Sequence, residues 1–358
     1  MSINMTPQVN ALFNAPFPYE VLLECTSACN YRCVHCYLGD DFRNSILTYQ
    51  DIENIISQLH SLGTLHIKLT GGEPLTHPQL REILKLIKEN GMRITLYTNA
   101  SLINEDNILW IDQYVDEYKV SIYGASEGTY EKVAKSKGVY KKFIHGVALL
   151  VNTKKPILGS IILLKDNYHE LKDMYLFCKE NGISATAGMR ICPERNGCES
   201  NCEHAINDEQ FYDAILFALQ KTDIADTKQE SVPSKEQLTN EILNSHPCGA
   251  GVFSIAIRSD GEVLPCIQLD IPYGNIRKGT LHDFYYKNET AIALRNMRIS
   301  DFRSCRECED LVNCSICLSR LYTDKKTLIP VGETIICNDT QIIKRAIKSL
   351  TEWALPKE

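Results

Sequence analysis

The chain has 358 residues, 44% of them hydrophobic and 23% charged, and a formal net charge of -7. This length and composition suit a globular protein built as one large barrel, or a barrel with a smaller domain, and the acidic balance argues against generic binding to nucleic acid or an anionic membrane. No apolar run approaches the ~18 residues of a membrane span, and "MSINMTPQVNALFNAPFPYE" has no basic start followed by an apolar block, so no signal peptide is read and a cytoplasmic location is expected.

Taken in chain order, strands alternate with helices. The β-like runs are "VLLEC" (21–25), "HIKLT" (66–70), "RITLYTN" (93–99), "YKVSIYG" (118–124), "PILGSIILL" (156–164) and "ISATAGMR" (183–190). Helical spacing marks 48–62, where Ile52, Ile55, Ile56 and Leu59 share a face, and 78–90, where Leu80, Ile83, Leu84 and Ile87 do. Thr48 with Asp51 caps the first, and Asn90-Gly91 ends the second. Further helices are expected at 104–113, 140–152 and 168–181. The alternation predicts a parallel sheet, and six repeats curl into a partial barrel whose chemistry sits on loops after the strands' C-terminal ends.

Four features fall on that rim. "CNYRCVHCY" follows the first strand and spaces Cys29, Cys33 and Cys36 as C-x3-C-x2-C, while "TGGEP" (70–74) follows the second. Asn99 closes the third strand and Ser121 lies near the end of the fourth. Singly, each has an ordinary alternative: a turn for the glycines and Asn99, a strand hydroxyl for Ser121, a zinc ligand for the cysteines. His35 is a poor fourth ligand, because it sits beside Cys36 and would point elsewhere. With 15 cysteines, an odd number, and no export signal, metal or Fe–S ligation is favoured over disulfides. Together the residues favour an Fe–S cluster held by three thiolates with one iron open to a small chelating molecule. Gly71 and Gly72 let backbone approach that molecule, Glu73 is expected to hold its ammonium, and Tyr37 is expected against an adenine.

The triplet ending in an aromatic residue, with "GGEP" after the next strand, resembles the radical S-adenosylmethionine superfamily over about residues 18–190. The resemblance implies that S-adenosylmethionine binds the open iron and is cleaved reductively to a 5′-deoxyadenosyl radical that takes a hydrogen atom from the substrate. It further implies that Cys29, Cys33 and Cys36 bind the [4Fe–4S] cluster, that Gly71, Gly72, Glu73 and Pro74 hold the methionine moiety, and that Ser121 and Asn99 belong to the same shell. An electron donor such as flavodoxin or ferredoxin follows as a partner.

A second cysteine system lies beyond a polar stretch at 223–247. Cys248 opens "CGAGVFSIAIRSDGEVLPC", which ends at Cys266, and "FSIAI" and "EVLPC" flank Asp260-Gly261 as a hairpin. Cys305, Cys308, Cys314 and Cys317 follow as C-x2-C-x5-C-x2-C, and Cys337 stands alone. In isolation this segment suits structural zinc and Fe–S equally. Beside the first triplet, the pattern resembles the SPASM extension, which implies two auxiliary [4Fe–4S] clusters. By resemblance, Cys305, Cys308, Cys314 and Cys337 hold one, while Cys248, Cys266 and Cys317 hold the other with an unassigned fourth ligand. The two-residue gap in "CSIC", where many members of that group have three, makes "CSICLSRLY" closer to the version in the pyrroloquinoline quinone biosynthesis enzyme and in haem side-chain-modifying relatives.

The expected architecture is therefore α/β: an N-terminal extension (1–19), a partial (β/α)6 TIM-like barrel (20–222), a linker (223–247), a small cysteine-rich α+β SPASM domain with a β-hairpin (248–345) and a tail (346–358). Cys25 and Cys178 read as core residues. Cys192, Cys198 and Cys202, just after the sixth strand, read as loop thiols or as hydrogen-atom donors and spare cluster ligands on the active rim.

The SPASM group acts mostly on peptides and proteins. The leading expectation is maturation of a ribosomally made peptide by crosslinking, epimerisation or side-chain oxidation. The alternatives are a tetrapyrrole or haem side-chain enzyme, and sulfatase-maturase-type protein oxidation. With about 20 residues before the first strand, too few for a leader-binding domain, a peptide leader is expected to be recognised by a separate protein or through the barrel and the C-terminal domain. A pure electron carrier is disfavoured, because it needs no "GGEP" pocket.

Overall fold

A computed structural model describes residues 16–39, 42–221, 235–329 and 332–354. Most of the expected N-terminal extension, the start of the expected linker and the end of the expected tail lie outside the described residues. The described residues fall into two compact units, one within Ala11–Ala205 plus Ala250–Leu294, the other within Ile206–Gly249 plus Arg295–Glu358.

The first unit holds the barrel. Its elements in order are β1 (Glu20–Glu24), α1 (Tyr49–Ser61), β2 (His66–Thr70), α2 (Leu80–Glu89), β3 (Arg93–Thr98), α3 (Glu105–Tyr114), β4 (Glu117–Ile122), α4 (Glu127–Ala134), α5 (Tyr140–Asn152), β5 (Ile157–Ile162), α6 (Leu171–Glu180) and β6 (Ser184–Gly188). Neighbouring strands from β1 to β6 pair parallel, and the sheet has two free ends, so the barrel is partial and open. Residues alternate along each strand. Val21, Leu23, Ile67, Leu69, Ile94 and Leu96 are buried on one face, as are the helix residues Ile52, Ile55, Ile83 and Leu84. The opposite face is the inner one, and it is only part-buried. Thr48 makes the expected cap, with its hydroxyl accepting from the Asp51 amide and the Asp51 carboxylate returning to the Thr48 amide. Cys25 and Cys178 are buried in this unit.

Three features depart from expectation. Helix α4 was not foreseen, although Ser126 caps it by accepting from the Thr129 amide. The hairpin forms around Asp260-Gly261 as β7 (Ser254–Ile257) and β8 (Glu262–Leu264), with Gly261 at φ +91. Yet β7 pairs parallel with β1, and β9 (Gly274–Asn275) pairs with β8, so the expected C-terminal hairpin extends the barrel sheet to nine strands. The reason is register. Val21 and Leu23 stand opposite Ile255 and Ile257, so the two strands continue one apolar face.

The second unit is helical, with α7 (Asp208–Lys221), α8 (Lys235–Leu243), α9 (Leu318–Lys325) and α10 (Ile335–Ala354). Thus α7 leaves the barrel unit before the expected boundary, α8 occupies part of the expected linker, and α10 runs unbroken into the expected tail, with Ala346 fully buried. Among the described residues no helix is long and apolar enough to cross a membrane.

Candidate active site

Cys29, Cys33 and Cys36 line a cavity of about 180 Å³ at the C-terminal end of the barrel, together with Gly71, Gly72, Glu73, Asn99 and Ser121. The four rim features are thereby brought together. The cysteine loop tightens through a Cys36 amide bond to the Cys33 carbonyl (3.1 Å), and the Tyr31 amide donates to Cys29 Sγ (3.4 Å). Burial pushes the Cys29 thiol up to about 11 and raises Cys33 further, against the opposing pull of Arg43.

Gly71 and Gly72, which line the cavity, also answer to a close backbone contact. A Cβ on Gly71 would lie 2.5 Å from the Thr26 carbonyl oxygen, and one on Gly72 2.4 Å from those of Ser27 and Ala28. Their missing side chains let this turn pack backbone against backbone on the segment leading into Cys29, where the Gly72 and Glu73 amides donate to Thr26 and Ala28 (2.7 and 2.8 Å). That contact places the two motifs side by side.

Glu73 ties this turn to the next strand. It is 1% exposed, and its carboxylate accepts from Thr98 Oγ1 (2.8 Å), the Asn99 amide (2.8 Å) and the Leu75 amide (3.3 Å). Burial raises its carboxyl to about 7 against the pull of those donors. Glu73 therefore staples the "GGEP" turn to the end of β3 while it lines the cavity. Pro74 opens a 3-10 turn, Pro74–Thr76, and is buried away from the cavity wall.

Asn99 Nδ2 donates to Asn30 Oδ1 (2.9 Å), Asn30 Nδ2 to Ser101 Oγ (2.9 Å), and Ser101 Oγ to Asn99 Oδ1 (2.7 Å). This closed ring pins the loop between Cys29 and Cys33 to the β3 end. Tyr37 lines the cavity while its hydroxyl donates to the buried Glu24 (2.9 Å).

His35 was set aside on sequence, yet it lines the same cavity, because the tight Cys33–Cys36 turn directs it inward. Its Nδ1 is buried with no hydrogen-bond partner among the described residues. Burial, with His204 nearby, pulls its pKa down to about 4, so the ring is neutral at neutral pH. Tyr97 and Tyr123 also line the cavity and were not foreseen. The inward face of β3 was the available signal for Tyr97.

A larger polar cavity, about 930 Å³, borders Cys33 and Cys36 and is reached by Glu194, Asn196, Ser200, Asn201 and His204 of the loop after β6. Cys192, Cys198 and Cys202 sit in this loop but line neither cavity. Asn201 ties the loop together, donating from Nδ2 to the Cys192 carbonyl (2.9 Å) and accepting at Oδ1 from Cys202 Sγ (3.4 Å).

In the second unit, Cys305, Cys308, Cys314 and Cys337 line one cavity of about 70 Å³ walled by Phe302, Leu311 and Ile336. Cys317 caps α9 outside that wall. Cys248 belongs to the same unit, whereas Cys266 belongs to the barrel unit, where its carbonyl accepts from the Leu269 amide (3.0 Å). Among the described residues no three His, Cys, Asp or Glu side chains converge as a single bound ion requires, and the cysteine groups line cavities instead.

Comparison with known proteins agrees with this layout. Residues 23–178 match the model of the Radical SAM superfamily, and residues 248–309 that of SPASM, an iron-sulfur cluster-binding domain. The chain is 26% identical over 336 residues to an AdoMet-dependent heme synthase of Methanosarcina barkeri, covering 87% of this chain and 94% of that protein. Its fold is similar to that of Streptococcus suis SuiB bound to precursor peptide SuiA (TM-score 0.69, 18% identity, 92% of this chain and 78% of that one). It is also similar to native anSMEcpe with bound AdoMet and Kp18Cys peptide (TM-score 0.67, 15% identity, 93% and 99%).

Proposed function

We propose that this chain, which belongs to the radical S-adenosylmethionine superfamily and carries a SPASM domain, modifies a peptide substrate. S-adenosylmethionine and iron–sulfur clusters are its cofactors. When bound, they supply a one-electron cleavage that yields a carbon radical able to take a hydrogen atom from a substrate.

In this reading Cys29, Cys33 and Cys36 hold the cluster beside S-adenosylmethionine, and the cavity they line with Gly71, Gly72, Asn99 and Ser121 receives the cofactor. The Nδ1 of His35, buried in the cavity wall with no hydrogen-bond partner among the described residues, fits such a ligand. The ring of Asn30, Asn99 and Ser101 orients the cysteine loop, and Glu24 holds Tyr37 in place. Cys305, Cys308, Cys314 and Cys337 are proposed to hold one auxiliary cluster, and Cys248, Cys266 and Cys317 another. An external donor such as flavodoxin or ferredoxin completes the proposal.

One observation carries the peptide reading. The inner face of the barrel presents Lys68, Thr95, Lys119, Ser160 and Thr186 among Leu22, Leu158 and Ile162, a mixed lining whose polar groups suit an extended amide chain. A tetrapyrrole substrate is the second reading, supported by the likeness to a heme synthase over nearly its whole length. The test is anaerobic turnover of the reconstituted enzyme with a short peptide encoded beside its gene, and with iron-coproporphyrin III. A mass change in the peptide with matching 5′-deoxyadenosine supports the first reading. A change only in the porphyrin overturns it.

A further inference from the structure

The inner face of the barrel is charged beneath the cofactor cavity. Thr70, Tyr97 and Ser121 line that cavity, and the two-residue strand period puts Lys68, Thr95 and Lys119 on the same face, one step toward the strands' N-terminal ends. Most of these groups have partners. Lys68 Nζ lies 2.7 Å from Glu20 Oε2, and Glu117 accepts from Thr95 Oγ1 at 3.2 Å.

Lys119 is the exception. It makes no ion pair among the described residues, and its Nζ sits 4.8 Å from the centroid of the Tyr97 ring, its register partner on β3. The ring face stabilises the cation, while burial and the like charge of Lys68 act against it and Glu117 acts for it. An ammonium drawn partly out of water with no carboxylate in ion-pair contact is costly, and an arriving carboxylate offsets that cost.

We propose that Lys119, braced by Tyr97, forms a carboxylate-binding subsite on the barrel wall below the cofactor cavity, and that the substrate enters with an acidic group there, an Asp or Glu side chain of the peptide. The inference rests on the peptide reading only for the identity of the carboxylate's bearer, since a tetrapyrrole propionate offers the same chemistry.

The test uses the reconstituted holoenzyme and glutarate as probe, with neutral glutaramide as control. Glutarate should bind where glutaramide does not, Lys119→Met should weaken it by at least about tenfold, the scale of one charged hydrogen bond, and Lys119→Arg should retain it. Independently of any variant, glutarate should shield Lys119 from acetylation while leaving the exposed Lys85 unchanged. Equal binding of glutarate and glutaramide, or undiminished acetylation of Lys119, overturns the subsite. Competition with glutarate then separates the bearers. Displacement by Ala-Ala-Glu-Ala-Ala but not by its Gln counterpart supports subsite and peptide together. Displacement by coproporphyrin III alone keeps the subsite and removes the peptide.

Discussion

Arg195 donates from Nη2 to both carboxylate oxygens of Glu24, at 3.1 and 2.9 Å, with both side chains buried. Glu24 ends β1, and Arg195 lies on the loop after β6, so one ion pair joins the two ends of the six-strand arc. The same carboxylate accepts from Tyr37 and from Ser259 Oγ (2.6 Å), while the Arg195 amide donates to the Tyr37 carbonyl (2.8 Å). The pair thereby braces the residue that follows Cys36.

Arg195→Met should destabilise the apoprotein by about 3–5 kcal/mol, because it leaves Glu24 buried without its counter-charge. The double variant Glu24→Gln, Arg195→Met should recover part of that loss. Urea unfolding of the four proteins of the cycle checks both. Additive losses would mean the two residues are not coupled.

Gly72→Ala should cost S-adenosylmethionine cleavage about 100-fold, the scale of a misplaced reacting group, since its Cβ would lie 2.4 Å from two backbone carbonyl oxygens. Neither oxygen belongs to a flexible side chain, so the turn itself must move. Formation of 5′-deoxyadenosine after chemical reduction is the measurement, with iron content as the control for cluster loss.

Replacing Cys29, Cys33 and Cys36 together with Ala should abolish 5′-deoxyadenosine formation and leave part of the iron in place. Replacing Cys305, Cys308, Cys314 and Cys337 should remove iron from a different site while the first cluster keeps its electron paramagnetic resonance signal. Stoichiometric zinc with little iron in the wild type would contradict the assignment of the second group.

Glu170 accepts from the Ala125 amide (2.6 Å), the Ser126 amide (3.1 Å), Thr129 Oγ1 (2.6 Å) and the Ser126 hydroxyl. Burial pushes its carboxyl up, but these donors outweigh it and hold the group below its ordinary 4.5. A depressed folded pKa stabilises above the unfolded value and is lost as pH falls through the folded one. The Tm deficit of Glu170→Gln should thus be largest near neutrality and narrow below about pH 4.5. A deficit constant with pH would assign it to packing alone.

Local pattern settled much of this protein. The six parallel strands, the α1 cap at Thr48 and the apolar faces of α1 and α2 follow from periods of two and 3.6 residues, which short windows of sequence carry. The grouping of Cys29, Cys33 and Cys36 with Gly71, Gly72, Asn99 and Ser121 was legible too, because strand–loop–helix repetition sends every such loop to one rim. Tertiary structure alone decided the rest. Arg195 and Glu24 are 171 positions apart, and no local period links them. Glu73 turned inward because burial and three donors at the β3 end claim its carboxylate. The hairpin joined the barrel because its apolar face found β1, and Lys119 makes a ring contact rather than an ion pair among the described residues because β-sheet register set it opposite Tyr97. Such outcomes depend on which surfaces meet, and that is fixed only once the chain has closed on itself.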